Sequence, residues 1–208
     1  MPDSPFLPAW VKKMVVGEYA TNTYLICDQD SCMIVDPGGE GEKILRSLPE
    51  DINSLTIFLT HGHADHWAGL AEIEELFPQV QVFYPQGDEV FLKEPNLHFL
   101  HFLGGRVPEY FGHALHPPGE LKVGKLSFSL IHLPGHTPGH LALLGQGILF
   151  SGDVIFKEGI GRTDFPGGSM EELRLSLKTL LSLPPETIIC PGHGPLFTVK
   201  EAREHLGL

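Results

Sequence analysis

Short apolar runs, most of them stopped by Gly, Pro or Asp, recur along the chain and predict buried β-strands. The run Met33–Val35, for example, is followed directly by Asp36-Pro37-Gly38-Gly39. On this pattern we expect strands at Val11–Val16, Tyr24–Cys27, Met33–Val35, Leu55–Leu59, Val80–Tyr84, Leu126–Leu133, Leu141–Leu144, Ile148–Phe150 and Thr187–Cys190.

Other stretches space their apolar residues three or four positions apart, which is typical of a helix with one buried face. They are Glu42–Leu48, Leu70–Phe77 and Met170–Leu183. The order of strands, a helix, more strands and late helices predicts an α+β fold in which helices cover the faces of sheets. No repeat or low-complexity linker interrupts the chain, so we expect residues 1–208 to form a single domain.

Residues Glu94–Pro118 show no clear period and are interpreted as a long loop over one end of the domain, in which a short strand or helix is allowed. A long loop in a compact domain is often functional. Four histidines lie in it without an assigned role, although the last two are the better candidates for pocket residues: His98, His101, His113 and His116.

Composition and charge exclude several classes of partner. Of the 208 residues, 42% are apolar and 19% are charged, which are ordinary values for a globular domain. The net charge of −12, with no basic run longer than Lys12-Lys13, argues against a nucleic-acid surface. No segment approaches the roughly 20 apolar residues of a membrane span. The first residues lack a signal-peptide pattern, so we expect a cytoplasmic protein. The sequence leaves the oligomeric state open.

The three cysteines give a weaker signal. Cys27 and Cys32 flank a turn-like segment and could face each other across a hairpin, which would allow a disulfide. Because nothing marks the chain for export, reduced thiols are the favoured interpretation for these two and for Cys190.

The strongest chemical signal is the segment His61-Gly62-His63-Ala64-Asp65-His66, which follows the apolar run Leu55–Leu59. Imidazole nitrogens and carboxylate oxygens are the usual protein ligands of zinc and similar ions. A polar loop with fortuitous histidines is the alternative, but three imidazoles and a carboxylate within six residues disfavour it. The segment therefore predicts a metal site presented by a strand end.

Three more candidate ligands occupy the same kind of position. His136, Asp153 and His193 each follow a predicted strand by a few residues and come directly after a glycine. Glycine lets the backbone turn sharply at such a point. If the strands share a direction, four separate segments converge on one pocket, and the prediction becomes a site of seven ligands.

The pattern His-x-His-x-Asp-His, with His136, Asp153 and His193 following in that order, resembles the metallo-β-lactamase superfamily over the whole chain. The resemblance implies an αββα four-layer sandwich of the metallo-β-lactamase type, with the metal site at one edge of the two sheets. It divides the ligands between two ions: His61, His63 and His136 for the first, Asp65, His66 and His193 for the second, and Asp153 bridging them.

The resemblance also assigns a place to Asp36, which would hydrogen-bond a ligating imidazole and orient it. For Asp36 alone a turn-forming role is equally natural, because Asp-Pro-Gly makes a good turn without any metal. The cofactors implied are two divalent metal ions, zinc in the first place, with iron or manganese as alternatives.

The implied chemistry is hydrolysis. Two metal ions lower the pKa of a shared water from 15.7 toward about 7, which gives a hydroxide at neutral pH. Asp65 would act as the catalytic residue by accepting a hydrogen bond from this hydroxide while it attacks a carbonyl. A thiol leaves with a pKa of about 8–9 and needs no strong general acid, so a small-molecule thioester is the favoured substrate.

Residues 159–168 narrow the resemblance, because Gly-Ile-Gly-Arg-Thr-Asp-Phe-Pro-Gly-Gly is similar to the short bacterial hydroxyacylglutathione hydrolase-like (glyoxalase II-like) proteins. That likeness implies hydrolysis of thioesters such as S-D-lactoylglutathione, with Arg162 binding the glycine carboxylate of glutathione. An Arg162–Asp164 ion pair that stiffens the loop is an equally open interpretation. After His193 only Lys200 and Arg203 could add basic contacts, so the identity of the thiol stays open.

Two alternatives to a hydrolase remain. Gly161-Arg162-Thr163-Asp164-Phe165 is also similar to the persulfide dioxygenases, which hold a single iron with residues that correspond to His61, His136 and Asp153. The following Pro-Gly-Gly favours the hydrolases. The other alternative is a non-catalytic metal-binding module, which the full ligand set disfavours because structural zinc sites are usually closed, four-coordinate and often rich in cysteine.

Overall fold

Two mixed sheets of six strands each dominate the computed structural model, which describes residues 7–94, 103, 105–108 and 112–207. The first sheet contains β1 (Val11–Val16), β2 (Thr21–Asp28), β3 (Ser31–Val35), β4 (Ser54–Phe58), β5 (Gln81–Pro85) and β6 (His113–Leu115). Its strands lie in sequence order, antiparallel from β1 to β3 and parallel from β3 to β6.

The second sheet is built from the later part of the chain. It contains β7 (Glu120–Val123), β8 (Leu126–His132), β9 (Leu141–Gly145), β10 (Ile148–Gly152), β13 (Ile188–Pro191) and β14 (Phe197–Thr198). A separate ribbon consists of β11 (Ile155–Phe156) and β12 (Gly159–Ile160). The strand order is β14-β13-β10-β9-β8-β7, in which only the β10–β13 pair is parallel.

Helices cover the outer faces of both sheets. They are α1 (Gly41–Leu45), α2 (Leu70–Leu76), α3 (Glu89–Lys93), α4 (Met170–Leu181) and α5 (Val199–His205). Short 3₁₀ turns lie at Ala64–His66 and Gln86–Asp88. In the described part of the chain, no helix combines the length and apolar content that crossing a bilayer requires.

The period-two alternation of the strands builds the layers. Along β2, Tyr24 and Ile26 point between the two sheets, whereas Leu25 points toward the helices α1 and α2. Between the sheets the Tyr24 ring meets Phe150 of the second sheet edge-on, with ring centroids 5.2 Å apart. A third apolar cluster joins the outer face of the second sheet to α4 and α5. The predicted αββα four-layer sandwich is thus confirmed.

The predicted strands and helices are present with ends that differ by a few residues, but some elements were missed. The pattern did not predict the helices α3 and α5 or the edge strands β7 and β14. The short strand β6 lies inside the segment interpreted as a long loop, where the sequence allows a short strand or helix. His98 and His101 of that segment lie outside the described residues.

The prediction of reduced thiols is wrong for Cys27 and Cys32. They are register partners across the β2–β3 hairpin, with Cα atoms 4.2 Å apart, and they form a disulfide. The hairpin brings the two side chains face to face, and this geometry outweighs the argument from the missing export signal. Cys190 is a buried free thiol, as predicted.

Candidate metal centre

Four loops that follow strand ends meet at one edge of the sandwich. The segment His61–His66 follows β4 of the first sheet, and the other three loops follow β8, β10 and β13 of the second sheet. The two sheets are joined here by a bridge between Thr21 and His193. This arrangement brings together all seven predicted ligands: His61, His63, Asp65, His66, His136, Asp153 and His193.

The seven side chains form two groups of three, joined by a third group that contains Asp153. The potential ligand atoms within each group lie no more than 4.8 Å apart. In the first group the Nδ1 atom of His63 is 2.9 Å from the Nε2 atom of His136. The groups are His61, His63 and His136; Asp65, His66 and His193; and, between them, His61, His66 and Asp153.

In the second group, Asp65 lies between two imidazoles. Its Oδ2 atom is 3.2 Å from Nε2 of His193 and 3.6 Å from Nε2 of His66. Asp153 reaches both groups, because Oδ1 is 3.4 Å from Nε2 of His66 and Oδ2 is 3.7 Å from Nε2 of His136. A carboxylate in this position can bridge two cations.

The loop that carries His193 packs its backbone closely against two metal-ligating side chains at Gly192. A Cβ atom at position 192 would lie 2.1 Å from Oδ1 of Asp153 and 2.6 Å from Cε1 of His66. Only glycine therefore allows the loop that carries His193 to pack against these two side chains.

Backbone carbonyls orient two of the imidazoles. The Nδ1 atom of His136 donates to the carbonyl of Arg162 at 2.8 Å, and Nδ1 of His193 donates to the carbonyl of Tyr19 at 3.0 Å. Each bond fixes the tautomer that leaves the Nε2 lone pair free toward the pocket.

Asp36 orients two further imidazoles, one directly and one through a threonine. Its Oδ2 atom is 2.8 Å from Nδ1 of His66 and accepts a hydrogen bond from the Thr60 hydroxyl at 2.7 Å. Because the hydroxyl donates to Asp36, it accepts from Nδ1 of His61 at 3.0 Å. The backbone N–H of Thr60 donates to Oδ1 of Asp36 at 2.7 Å, which completes the network. The Nε2 atoms of His61 and His66 are thereby left for a ligand.

These free atoms test whether the residues fit a metal ion. The Nε2 atoms of His61 and His66 and the Oδ1 atom of Asp153 are buried and make no hydrogen bond within the described part of the chain. Buried polar atoms nearly always have a partner. Three such atoms facing one another fit a bound cation.

The charge states of His61, His63 and Asp153 also fit a cation. Burial, with neighbouring imidazoles, lowers the pKa of His61 well below its ordinary value and lowers the pKa of His63 to about 3. Burial opposes ionisation of Asp153, but His66 and His136 hold the pKa of this carboxyl far below its usual range. Neutral imidazoles and ionised carboxylates are the forms that bind metals. Burial lowers the pKa of His66 and His193, but the neighbouring Asp153 and Asp65 raise it above its ordinary value, so these two imidazoles must release a proton when they bind a metal.

An open cavity of about 840 Å³ adjoins the second group. Asp65 lines it together with the segments 17–19 and 38–40, Glu42, residues of α2, and Arg106. Of the ligands, Asp65 is therefore one that a small molecule can approach from this cavity.

The structure places the Arg162 side chain beside the first group. Its guanidinium group pairs with both carboxylate oxygens of Asp164 at 2.8 and 2.7 Å and lies 3.7 Å above the centroid of the Phe165 ring. The Phe165 ring meets His63 edge-on at 5.5 Å. The ion pair predicted as one alternative is present, and contact of Arg162 with a substrate stays a prediction.

Sequence reasoning missed several contributors to this site. The Thr60 hydroxyl could have been recognised, since it directly precedes the first ligand. The carbonyls of Tyr19 and Arg162 carry no residue-type signal, because every residue has one. His140 is not one of the missed contributors, because the sequence favours it as a brace of the His136 loop rather than as a ligand. Its Nε2 atom accepts a hydrogen bond from the backbone N–H of Asp153 at 3.2 Å, and it lies outside the ligand groups.

Comparison with known proteins gives a consistent family. The model of the metallo-beta-lactamase superfamily matches residues 16–193. A probable metallo-hydrolase of Bacillus subtilis (strain 168) is 36% identical over 190 residues, which cover 88% of this chain and 90% of that protein. Hydroxyacylglutathione hydrolase GloC of Haemophilus influenzae is 35% identical over 199 residues, covering 90% of this chain and 92% of GloC.

Solved structures with the same fold also point to this family. The BLEG-1 B3 metallo-beta-lactamase superposes with a TM-score of 0.85 at 35% identity, covering 94% of this chain and 97% of that chain. TTHA1623, crystallised in a di-iron-bound form, gives a TM-score of 0.84 at 35% identity, with coverage of 94% and 99%.

Proposed function

The chain belongs to the metallo-β-lactamase superfamily, and from this membership we propose that it hydrolyses small-molecule thioesters such as S-D-lactoylglutathione. One observation carries the proposal: seven metal-type ligands meet in one pocket and leave three buried ligand atoms without a hydrogen bond in the described residues. The similarity to a hydroxyacylglutathione hydrolase supports a thioester as the substrate.

The donor set suits two divalent metal ions, one at each ligand group, with Asp153 between them. Zinc is our first expectation because the ligands are imidazoles and carboxylates, and the di-iron form of TTHA1623 supports iron as an alternative. When bound, such ions act as Lewis acids and bring the pKa of a water molecule to about 7.

Asp65 is the chain's own contribution to the attack on the substrate. Burial opposes its ionisation, but the imidazoles of His66 and His193 lower its pKa, so the carboxylate accepts hydrogen bonds and does not donate them. Because Asp65 lines the cavity, it can orient an attacking water toward a carbonyl carbon that enters there. A thiolate can leave without first being protonated, so the reaction requires no general acid from the chain.

Arg162 is proposed as a substrate contact. Its side chain is half-exposed, and Phe165 holds the guanidinium group close to His63. A carboxylate on the substrate could replace Asp164 as the two-pronged partner. A small anionic thioester is thus the expected partner. The net charge of −12 supports the further proposal that the protein binds neither nucleic acid nor a membrane surface.

Substrate profiling combined with elemental analysis tests the proposal. The metal-loaded protein is assayed with S-D-lactoylglutathione, with generic thioesters, with a β-lactam, and for persulfide-dependent uptake of O₂. We expect thioester hydrolysis and two metal ions per chain. One iron per chain with persulfide-dependent O₂ uptake would instead establish the dioxygenase, and inertness toward every substrate would favour the non-catalytic module.

A further inference from the structure

Asp88 is a fully buried carboxylate outside the ligand set. It ends the 3₁₀ turn Gln86–Asp88 that precedes α3. Its Oδ2 atom accepts hydrogen bonds from the backbone N–H of Gly62 at 2.9 Å and from the Thr137 hydroxyl at 2.6 Å. Its Oδ1 atom accepts from the backbone N–H of Gly139 at 2.6 Å. Both oxygens of this buried group therefore have partners.

The three donors come from the two loops that carry the first ligand group. Gly62 lies between His61 and His63, and Thr137 directly follows His136. The backbone also packs tightly at this point, because a Cβ atom at position 139 would lie 2.6 Å from the backbone nitrogen of Asp88. One carboxylate thus spans two loops that come from different sheets.

The loop that carries His193 is held by a different residue. The side-chain amide of Asn22 donates to the carbonyls of Pro191 and Gly194, at 2.9 Å in each case. None of the hydrogen bonds of Asp88 reaches this loop. The two ends of the metal pocket therefore have separate supports, one from Asp88 and one from Asn22.

We infer that Asp88 is a positioning residue that sets the distance between the loop of His61 and His63 and the loop of His136. The inference rests on the metal centre of the proposed function but not on its substrate. Partners that orient metal ligands typically change metal affinity by about 10–100-fold when they are removed. Loss of Asp88 should act mainly on the first ligand group. The loop of Gly62 also carries Asp65 and His66, but the loop of His136, which Asp88 holds through Thr137 and Gly139, serves the first group alone.

Titration of the metal-free, full-length protein with Co²⁺ tests this inference, with visible absorption as the readout. Two binding constants are resolved, and the variants His63→Ala and His193→Ala assign them to the two groups. Asp88→Asn keeps the size of the side chain but turns an N–H toward at least one donor. We expect it to weaken the first constant by about 10–100-fold and to leave the second within about threefold.

Asn22→Asp is the matched control, since it removes the donations to Pro191 and Gly194 and should weaken the second constant selectively. Equal weakening of both constants by Asp88→Asn, or no weakening, overturns the inference. The readout is Co²⁺ binding, so absent thioester hydrolysis would overturn the proposed substrate without touching this result.

A second variant keeps the test decisive if Asp88→Asn does not fold. Thr137→Val is nearly isosteric and removes one hydrogen bond while it leaves Asp88 in place. We expect a smaller loss of affinity at the same constant. Where Asp88→Asn folds, the double variant should show less than the sum of the two single effects. A folded Thr137→Val protein with both constants unchanged contradicts the inference.

Discussion

At the scale of single residues, Asp65 contacts other metal ligands on one side and the open cavity on the other. On one side its carboxylate faces the imidazoles of His66 and His193, and on the other it lines the open cavity. The remaining ligands are directed toward their own group or toward Asp153. Asp65 is therefore the carboxylate best placed to act on a bound substrate as well as on a cation.

Asp65→Asn should lower kcat by about 100-fold or more, because an amide accepts a proton or a hydrogen bond much less well than a carboxylate. Steady-state kinetics with a thioester, normalised to metal content from elemental analysis, measures this loss.

Glu186→Gln, a neutralised carboxylate on an exposed loop, is the control and should leave kcat nearly unchanged. Full activity of Asp65→Asn at full metal content would contradict the catalytic role.

How far the sequence predicts the site depends on the kind of atom involved. The ligands are imidazoles and carboxylates, which stand out by residue type, whereas Asp36 was assigned through the resemblance to the family. The carbonyl of Tyr19 and the carboxylate of Asp88 did not stand out, because their roles depend on packing between segments far apart in the chain. Residue type reveals the ligands, whereas most of the groups that hold them are revealed only by tertiary structure.

At the scale of elements, the β2–β3 hairpin determines which two cysteines form the disulfide. Its register places Cys27 opposite Cys32, whereas the Cys190 thiol is buried at β13. Burial raises the pKa of the Cys190 thiol well above its usual range, so the reactive thiolate is scarce at neutral and mildly alkaline pH.

The native protein should therefore show no thiol that reacts with a disulfide reagent at pH 8. Denaturation without reductant should release one reactive thiol, and denaturation after reduction should release three, as the cysteine content requires. Absorbance of the released chromophore counts the thiols. Three reactive thiols in denaturant without reductant would show that the hairpin cysteines are reduced.

Length and periodicity explain which elements the sequence predicted. The helix α4 has twelve residues with one buried face, so its period is clear. The helix α3 and the strand β7 have five and four residues, too few for a period to be distinguished. For α5 a signal was present but overlooked, since Thr198 and Glu201 form a capping box.

At the scale of the whole molecule, the metal centre joins the two sheets. The first sheet supplies the segment His61–His66, and the second sheet supplies His136, Asp153 and His193. A cation held by both sets binds only the folded chain. Its binding free energy therefore adds to the free energy of unfolding.

Removal of the metal should lower the melting temperature. One ion at a free concentration 100 times its Kd stabilises by about 2.7 kcal/mol, which for a chain of this size corresponds to roughly 5–10 °C. Calorimetry before and after chelation, with recovery on adding the metal back, measures the shift. An unchanged melting temperature after complete removal would show that the centre does not link the sheets.

The α+β class with helices on the sheet faces followed from the order of elements, and the four layers followed from the resemblance of the ligand pattern. The way in which the two sheets meet did not, because β2 reaches across to the loop after β13 through Thr21, Asn22 and Tyr24. Such contacts join residues more than 160 positions apart, as in the 167 between Tyr24 and Pro191, and no local pattern encodes them.

The division of ligands between the sheets also bears on biosynthesis. While the ribosome has synthesised only the first sheet, the nascent chain contains the four donors of the segment His61–His66. The ligands that the second sheet supplies are not yet present. Each of the two ligand groups is thus complete only after the later strands have emerged and docked, because the first group includes His136 and the second includes His193. The full set of seven donors exists only in a chain that has been translated through His193.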